Sequence, residues 1–130
     1  MKRRVLVLCT GNSARSQIVE GLLRSVAGDK IEVFSAGTHP KGLNPLAVQA
    51  MQEIGIDISR HQSKDVSQFE GEKFDVVITV CDHAKEHCPA FPGARMIHWS
   101  TPDPAGLDSF RKVRDQLTRR VEQFVRKHLN

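Results

Sequence analysis

The strongest constraint on the fold is an uninterrupted apolar run, Val-Leu-Val-Leu, at residues 5–8. Such a run is typical of a strand that helices cover on both faces of a sheet. After a short polar loop, apolar residues recur at helical spacing from Ser16 until Gly28 ends the pattern. The start of the chain therefore predicts a strand, a loop and a helix.

The same alternation continues along the rest of the chain. Extended segments are predicted at residues 31–35, 74–80 and 96–99, and helical patterns begin at Asn44 and at about Leu107. Strands that alternate with helices pair in parallel through right-handed crossovers. We therefore predict an α/β fold, a three-layer open sheet of about four parallel strands with helices on both faces.

Length and cysteine usage predict one domain in a reducing compartment. A chain of 130 residues has the size of a single domain, so residues 1–130 are treated as one unit. Three cysteines, an odd number, and a start unlike a leader sequence favour a cytoplasmic protein. No apolar stretch approaches the roughly 20 residues that cross a bilayer, so no membrane span is expected.

The charge of the chain suits a small anionic substrate, since the formal net charge is +4. Nucleic-acid binding is not expected, because the basic residues are scattered or lie among acidic residues on the last helix, and tyrosine is absent. No cofactor is predicted, and we expect a monomer.

The loop between the first strand and the first helix has the composition of an anion-binding site. It consists of Cys9, Thr10, Gly11, Asn12, Ser13, Ala14, Arg15 and Ser16. Gly11 and Asn12 tolerate the backbone angles that turn successive N–H groups inward, and the helix behind adds its positive end. Arg15 can grip a tetrahedral oxyanion through two hydrogen bonds. We therefore predict that residues 10–16 bind an oxyanion.

Cys9 is the candidate nucleophile of this loop. The helix start, the inward N–H groups and the Arg15 guanidinium stabilise negative charge and so favour its thiolate form. Ser13, Ser16 and Asn12 can bond either the sulfur or the loop, and the sequence leaves their roles open. The alternative is a structural cysteine that ends a strand, followed by a turn and a surface arginine.

The chain resembles the low-molecular-weight tyrosine phosphatase fold, and in particular its thioredoxin-coupled arsenate reductase branch. The similarity begins with Cys-Thr-Gly-Asn-Ser-Ala-Arg-Ser-Gln at residues 9–17 and spans nearly the whole chain. The other matching segments are residues 35–37, 42–45, 55–59, 80–81, 88–89, 98–99, 103–106 and 111–115. The resemblance implies arsenate as the substrate and thioredoxin as the reductant.

Two further cysteines distinguish redox chemistry from phosphate hydrolysis, which needs only Cys9. Cys81 follows a buried strand, so the predicted sheet places it on the same rim as Cys9. The resemblance implies that Cys81 displaces arsenite from an arsenic-bound Cys9, and that Cys88 then takes over the disulfide. Ala14 stands where some relatives carry a fourth cysteine, so this relay uses three.

A disulfide between Cys81 and Cys88 has a geometric consequence. Seven helical residues span about 10.5 Å, whereas a disulfide requires Cα atoms within roughly 7 Å. Residues 82–87, if helical when reduced, cannot remain a straight helix when their flanking cysteines are bridged. We predict that oxidation loops the segment out and presents it to thioredoxin.

Two other interpretations of this segment stay open from the sequence. The two cysteines could be idle structural thiols. The segment also offers four possible metal ligands, namely Cys81, His83, His87 and Cys88. Their spacing is not a usual zinc pattern, so no metal is predicted.

Asp103 lies in a loop between Pro102 and Pro104, which stiffen the backbone without supplying donors. Such an aspartate is by default a turn residue, but the resemblance implies that it is the general acid for the oxygen leaving arsenic. Phosphatases of this fold that act on tyrosine usually carry aromatic residues after the Asp-Pro pair, whereas this chain has Ala105 and Gly106. A shallow site for a bare oxyanion is therefore expected.

The family's cation site is altered in this chain. Some relatives bind potassium with residues that match Asn12, Glu20 and Ser35. Two further ligands, a threonine and an aspartate, are replaced here by Gln62 and Lys64. We hypothesise that the Lys64 ammonium occupies the same negative pocket beside Glu20. The alternative is a solvated surface lysine.

The residue pattern and the resemblance together predict an arsenate reductase. Its predicted catalytic residues are Cys9, Arg15, Cys81, Cys88 and Asp103. One alternative is a phosphomonoesterase that uses only Cys9, Arg15 and Asp103. The other is a non-catalytic redox sensor or anion-binding protein that signals through a Cys81–Cys88 bridge.

Overall fold

The computed structural model describes residues 2–129 and has the predicted alternation of strands and helices. In chain order the elements are β1 (Arg3–Cys9), α1 (Arg15–Ala27), β2 (Ile31–Gly37), α2 (Pro45–Gln52), a 3₁₀ helix (Val66–Phe69), β3 (Val76–Thr79), α3 (Asp82–Glu86), β4 (Arg95–His98) and α4 (Leu107–His128). The 3₁₀ helix was not predicted. Across residues 2–129 no helix is both long and apolar enough to cross a membrane.

The four strands form one parallel sheet in the order β2-β1-β3-β4. Every residue of β1 from Val5 to Cys9 is buried. Because successive side chains of a strand point to opposite faces, both faces of the sheet are covered. The predicted α/β class and parallel sheet are therefore confirmed.

The strand order determines where a ligand can bind. β1 pairs with β2 on one side and with β3 on the other, so the chain moves to one side of β1 for β2 and then crosses to the other side for β3. In open α/β sheets the crevice beyond the carboxyl ends of the strands at such a switch point is the usual ligand site. The loop that follows Cys9 lies at this point.

α4 covers the sheet with the stripe of apolar residues that its periodicity predicts. Its buried residues are Phe110, Val113, Leu117, Val121 and Phe124. The Phe124 ring packs edge-on against Trp99 at 6.2 Å, which anchors α4 beside β4. Arg111 on α4 also pairs with Glu53 after α2 at 2.7 Å and lowers the pKa of that carboxyl to about 2.

Some predicted boundaries differ by one or two residues for identifiable reasons. β3 begins at Val76 rather than at Phe74, because the Asp75 carboxylate accepts a hydrogen bond from Arg4 N at 2.7 Å. α2 begins as predicted, with the Asn44 side chain accepting from Leu46 N. It stops before Gly55, whose φ of 80° is left-handed.

Candidate active site

Cys9 ends β1 with its sulfur turned into the following loop. Cys9 Sγ accepts a hydrogen bond from Asn12 N at 3.2 Å and lies 2.9 Å from Ser16 Oγ. The side chain is buried. The sulfur is thus held by contacts from the loop and from the first turn of α1.

Asn12 fixes the shape of this loop. Its φ of 44° is the one positive value at a non-glycine position between residues 2 and 129, and its side chain is fully buried. Asn12 Nδ2 donates to Ser16 Oγ at 2.7 Å and to Ser35 Oγ at 2.9 Å, while Oδ1 accepts from Lys64 N at 2.8 Å. Because Oδ1 faces a backbone N–H, the orientation of the amide is determined.

The amide orientation sets the direction of a hydrogen-bond chain that ends on Cys9 Sγ. Ser35 donates to Glu20 Oε1 at 2.6 Å and accepts from Asn12. Ser16 also accepts from Asn12, so its own hydrogen is left for Cys9 Sγ. Of the roles left open by the sequence, Ser16 therefore contacts the sulfur and Asn12 organises the loop.

The carbonyl groups of the loop are bonded away from the cleft. They accept hydrogen bonds from backbone N–H groups of residues 39–44. His39 N donates to Thr10 O at 2.8 Å, Lys41 N donates to Gly11 O at 2.9 Å, and Asn44 N donates to Ser13 O at 3.0 Å. Ala14 provides no side-chain cap for α1. The first N–H groups of α1 are therefore left for a bound anion.

Gly37 supports the loop from β2, a role that sequence reasoning missed. It lies opposite Cys9 in the β1–β2 register. A Cβ at this position would lie 2.5 Å from Thr10 O and 2.8 Å from Asn12 N, closer than atoms can approach. The available signal was a glycine at the end of a strand, which often marks the close approach of another backbone.

The loop opens into a cleft of about 340 Å³. Its lining residues are Cys9, Thr10, Gly11, Ser13, Ala14, Arg15, Lys41, Asn44, Asp103, Pro104 and Phe110. The structure thus brings together Cys9, Arg15 and Asp103, as expected. Of the predicted anion-binding residues, Asn12 and Ser16 are fully buried behind the loop, so their side chains support it instead of lining the cleft.

Arg15 links the anion loop to the loop that carries Asp103. Its Nη1 donates to Thr101 O at 2.9 Å, and its Nη2 lies 3.8 Å from Asp103 Oδ1. The Asp103 side chain is 84% exposed, whereas that of Arg15 is 13% exposed. The guanidinium is thus fixed at the cleft, and the carboxylate has room to move toward a bound anion.

Cys81 lies on the same edge of the sheet as Cys9. The β1–β3 pairing aligns Leu8 with Thr79, and Cys81 follows two residues later. Cys81 Sγ is buried and lies 3.1 Å from the hydroxyl of Thr10, the residue after Cys9. It also accepts from Ala84 N at 3.4 Å and so caps the short helix α3.

Cys88 lies two residues beyond the end of α3 and is half-buried. Its Sγ donates to Pro89 O at 3.3 Å. Burial raises the pKa of the Cys88 thiol, so in this packing it is held in the protonated form. Cys9, Cys81 and Cys88 are all free thiols in this structure.

The start of α3 is tied to β4 by His98, a residue to which the sequence assigned no role. His98 Nε2 lies 3.0 Å from Asp82 Oδ1, and its Nδ1 lies 2.7 Å from Thr79 Oγ1.

The His83 ring stacks on His87 at 4.3 Å. Between residues 2 and 129 no three His, Cys, Asp or Glu side chains converge as metal ligands, so the zinc interpretation has no support.

The hypothesis that the Lys64 ammonium lies in the negative pocket beside Glu20 stays a prediction, although the direct ion pair of Glu20 is with another residue. Burial lowers the pKa of Lys64, and the charge of Glu20 opposes that shift. Arg24 Nη1 lies 2.8 Å from Glu20 Oε2, whereas Lys64 Nζ donates to Gln62 O at 2.8 Å. Arg24 lies one helical turn after Glu20 on α1, which makes it the nearer cation. A carboxylate already paired with a guanidinium does not fit a potassium ion.

His61 completes this buried polar group as a neutral imidazole. Gln17 Nε2 donates to Asn12 O and Gln62 O, so its Oε1 accepts from His61 Nδ1 at 3.0 Å. His61 Nε2 then accepts from Arg24 Nη1 at 3.2 Å. Burial lowers the pKa of His61, and Arg24 lowers it further against the opposing effect of Glu20.

Comparison with known proteins identifies similar chains. The family model for low molecular weight phosphotyrosine protein phosphatase matches residues 4–130. An arsenate reductase of Halalkalibacterium halodurans is 45% identical over 133 residues, which cover 95% of this chain and 96% of that protein.

Solved structures show the same similarity. An arsenate reductase in the phosphate binding state superimposes with a TM-score of 0.88 at 34% identity, covering 96% of this chain and 98% of the other. A thioredoxin-dependent arsenate reductase of Corynebacterium glutamicum gives a TM-score of 0.83 at 28% identity, covering 97% of this chain and 61% of that one.

Replacing Gly37 by Ala is expected to distort the anion loop. The added Cβ collides with Thr10 O and Asn12 N, so the free energy of unfolding should fall by about 1 to 3 kcal/mol. Phosphate affinity should fall at least about tenfold, as measured by titration calorimetry. Gly106→Ala is the matched control, because a Cβ there meets nothing within 4 Å. Equal behaviour of the two variants would contradict the assigned role of Gly37.

His61 is expected to make stability fall as the pH is lowered. The unfolded chain protonates this residue near pH 6.5, about its ordinary value, whereas the folded protein does so only at lower pH because its pKa is lowered. The contribution is therefore complete above pH 6.5 and is lost as the pH falls toward the folded pKa. Urea unfolding of wild type should show a steeper loss below pH 6.5 than His61→Gln. The exposed His87→Gln should retain the wild-type slope.

Proposed function

The chain belongs to the low molecular weight phosphotyrosine protein phosphatase family and to its arsenate reductase branch, and we propose that it reduces arsenate to arsenite through a relay of Cys9, Cys81 and Cys88. Thioredoxin regenerates the relay, and the reaction detoxifies arsenate. The observation that carries the relay is the 3.1 Å contact between Cys81 Sγ and the hydroxyl of Thr10. It brings a second thiol to the edge of the sheet on which the nucleophile lies.

The first step is attack of the Cys9 thiolate on arsenic. Arg15 and the free N–H groups of the loop hold the oxyanion, while Ser16 and Asn12 N stabilise the sulfur before attack. A sulfur–arsenic bond forms and an arsenic–oxygen bond breaks. Asp103 acts as the general acid and donates a proton to the leaving oxygen, which departs as water.

The second step transfers electrons to arsenic. The Cys81 thiolate attacks Cys9 Sγ, so a sulfur–sulfur bond forms while the sulfur–arsenic bond breaks. The electron pair of the broken bond stays on arsenic, which passes from As(V) to As(III) and leaves as arsenite. The hydrogen bond from Ala84 N holds Cys81 Sγ at the start of α3 before attack.

The third step moves the disulfide outward. Cys88 attacks Cys81, which forms the Cys81–Cys88 bridge and releases Cys9 as a thiolate. Burial raises the pKa of Cys88 in the packed state, so unpacking of this residue would favour the thiolate that attacks. α3 has only five residues and its start depends on the Cys81 cap, which favours such unpacking.

The bridge is then returned to two thiols by a dithiol–disulfide exchange with thioredoxin. A thioredoxin-dependent structural relative supports this choice of reductant. Three free thiols, two of which must be regenerated from a disulfide after each cycle, fit a cytoplasmic protein. We expect the enzyme to work as a monomer.

Phosphomonoester hydrolysis is the second candidate activity. It is favoured by one observation, namely that Cys9, Arg15 and Asp103 line one cleft without the help of the other cysteines. Such hydrolysis would proceed through a phosphorylated Cys9 and would leave Cys81 and Cys88 unused. A redox sensor without catalysis would show neither activity.

A coupled assay with a Cys88→Ser variant tests the proposed function. Wild type, thioredoxin, thioredoxin reductase and arsenate should consume NADPH over many turnovers. Cys88→Ser should stop after a single turnover that still releases one equivalent of arsenite, because the first two steps need only Cys9 and Cys81. Cys81→Ser should release none. Unchanged turnover in Cys88→Ser, or hydrolysis of a phosphate ester without arsenite formation, would overturn the relay.

Amide hydrogen exchange tests the conformational step. Oxidation to the Cys81–Cys88 disulfide should deprotect residues 82–87, because the helix span and the bridge are incompatible. The amides of α4 serve as the internal control and should remain protected. Equal protection of residues 82–87 in both redox states would contradict the predicted looping out.

A further inference from the structure

Lys41 forms the wall of the cleft beside Gly11. Its backbone N–H donates to Gly11 O at 2.9 Å, so the loop itself fixes its position. Its Cδ atom lies 3.3 Å from the place that a Cβ on Gly11 would occupy. The lysine stem therefore lies directly over the anion loop and lines the same cleft as Cys9 and Arg15.

The charge of Lys41 is not neutralised by a neighbouring carboxylate. The residue is exposed, and the ion pairs shorter than 4.0 Å in the described part of the chain do not include it. Arg15 differs, because its guanidinium already contacts Thr101 O and faces Asp103. A second positive charge is thus available at the mouth of the cleft.

We propose that Lys41 is a specificity-determining residue that selects tetrahedral dianions at the mouth of the cleft. The proposal rests on the proposed function and extends it to the charge state of the substrate. A dianion that approaches the Cys9 thiolate is repelled by the negative charge of the sulfur. Lys41 offsets this repulsion with a positive charge on the wall of the same cleft.

The reaction itself makes such a charge useful for capture without slowing release. Arsenate enters as a dianion at neutral pH, whereas arsenite leaves as uncharged arsenous acid. A cation at the mouth of the cleft attracts the arsenate dianion by long-range electrostatics, whereas it has no comparable attraction for uncharged arsenous acid. Lys41 should therefore affect the KM for arsenate and leave kcat unchanged.

Phosphate binding tests the proposal without any redox step. Titration calorimetry of the reduced protein with inorganic phosphate at low ionic strength should show about fivefold weaker binding for Lys41→Met, which keeps the stem and removes the charge. Lys41→Glu should bind about 25-fold more weakly, because the change in charge is doubled. Lys41→Arg should bind like wild type. At about 1 M salt, where charges are screened beyond about 3 Å, all four should agree within about twofold.

Lys127→Ala is the control for net charge. Lys127 is exposed on α4, and 17 helical residues separate it from Phe110 at the cleft, a distance of about 25 Å. This variant should bind phosphate like wild type. Wild-type affinity in Lys41→Met, or equal losses in Lys41→Met and Lys127→Ala, would overturn the proposal.

Arsenate kinetics provide the second readout. Lys41→Met should raise the KM for arsenate about fivefold at low ionic strength with kcat unchanged. A loss of kcat instead would mean that the residue acts on the chemical steps. If wild type binds phosphate through Lys41 but makes no arsenite, the proposed function fails while the role of Lys41 stands.

Discussion

The hydrogen bonds of one buried asparagine hold the whole candidate site in shape. Asn12 has a left-handed backbone conformation, and its side-chain amide forms hydrogen bonds with Ser16, Ser35 and the backbone N–H of Lys64. Each partner belongs to a different part of the chain, namely α1, β2 and the segment before the 3₁₀ helix. The anion loop is therefore positioned by the folded molecule and not by its own sequence alone. The four loop residues beside it, Thr10, Gly11, Ser13 and Ala14, are positioned through these same contacts.

The parallel pairing of β1 with β3 is the second requirement, because it brings two remote cysteines to one edge. Cys9 and Cys81 each follow a central strand, and the register leaves Thr10 between them. A phosphatase with this fold needs only the first thiol. In the proposed relay, a second thiol at the neighbouring strand end and a third beyond α3 would add electron transfer to an anion-binding scaffold.

Much of the fold was predictable, since the apolar run of β1, the helical periodicity of α4 and the Asn44-Pro45 start of α2 are local signals. The loop with Cys9 and Arg15 was predictable for the same reason. The role of His98 depends on contacts between segments distant in sequence, which no local pattern reveals, and the only local signal for Gly37 was its place at the end of a strand. The ion pair of Arg24 with Glu20 was also not predicted from the sequence, although the two residues lie one helical turn apart.

The ion pair between Arg24 and Glu20 means that this protein supplies its own counterion. A carboxylate that supports the anion loop through Ser35 needs a positive partner, and here that partner is part of the same helix. Guanidinium groups remain charged at any pH that a cell reaches. The carboxylate behind the anion loop therefore keeps a positively charged partner from its own helix across that whole pH range.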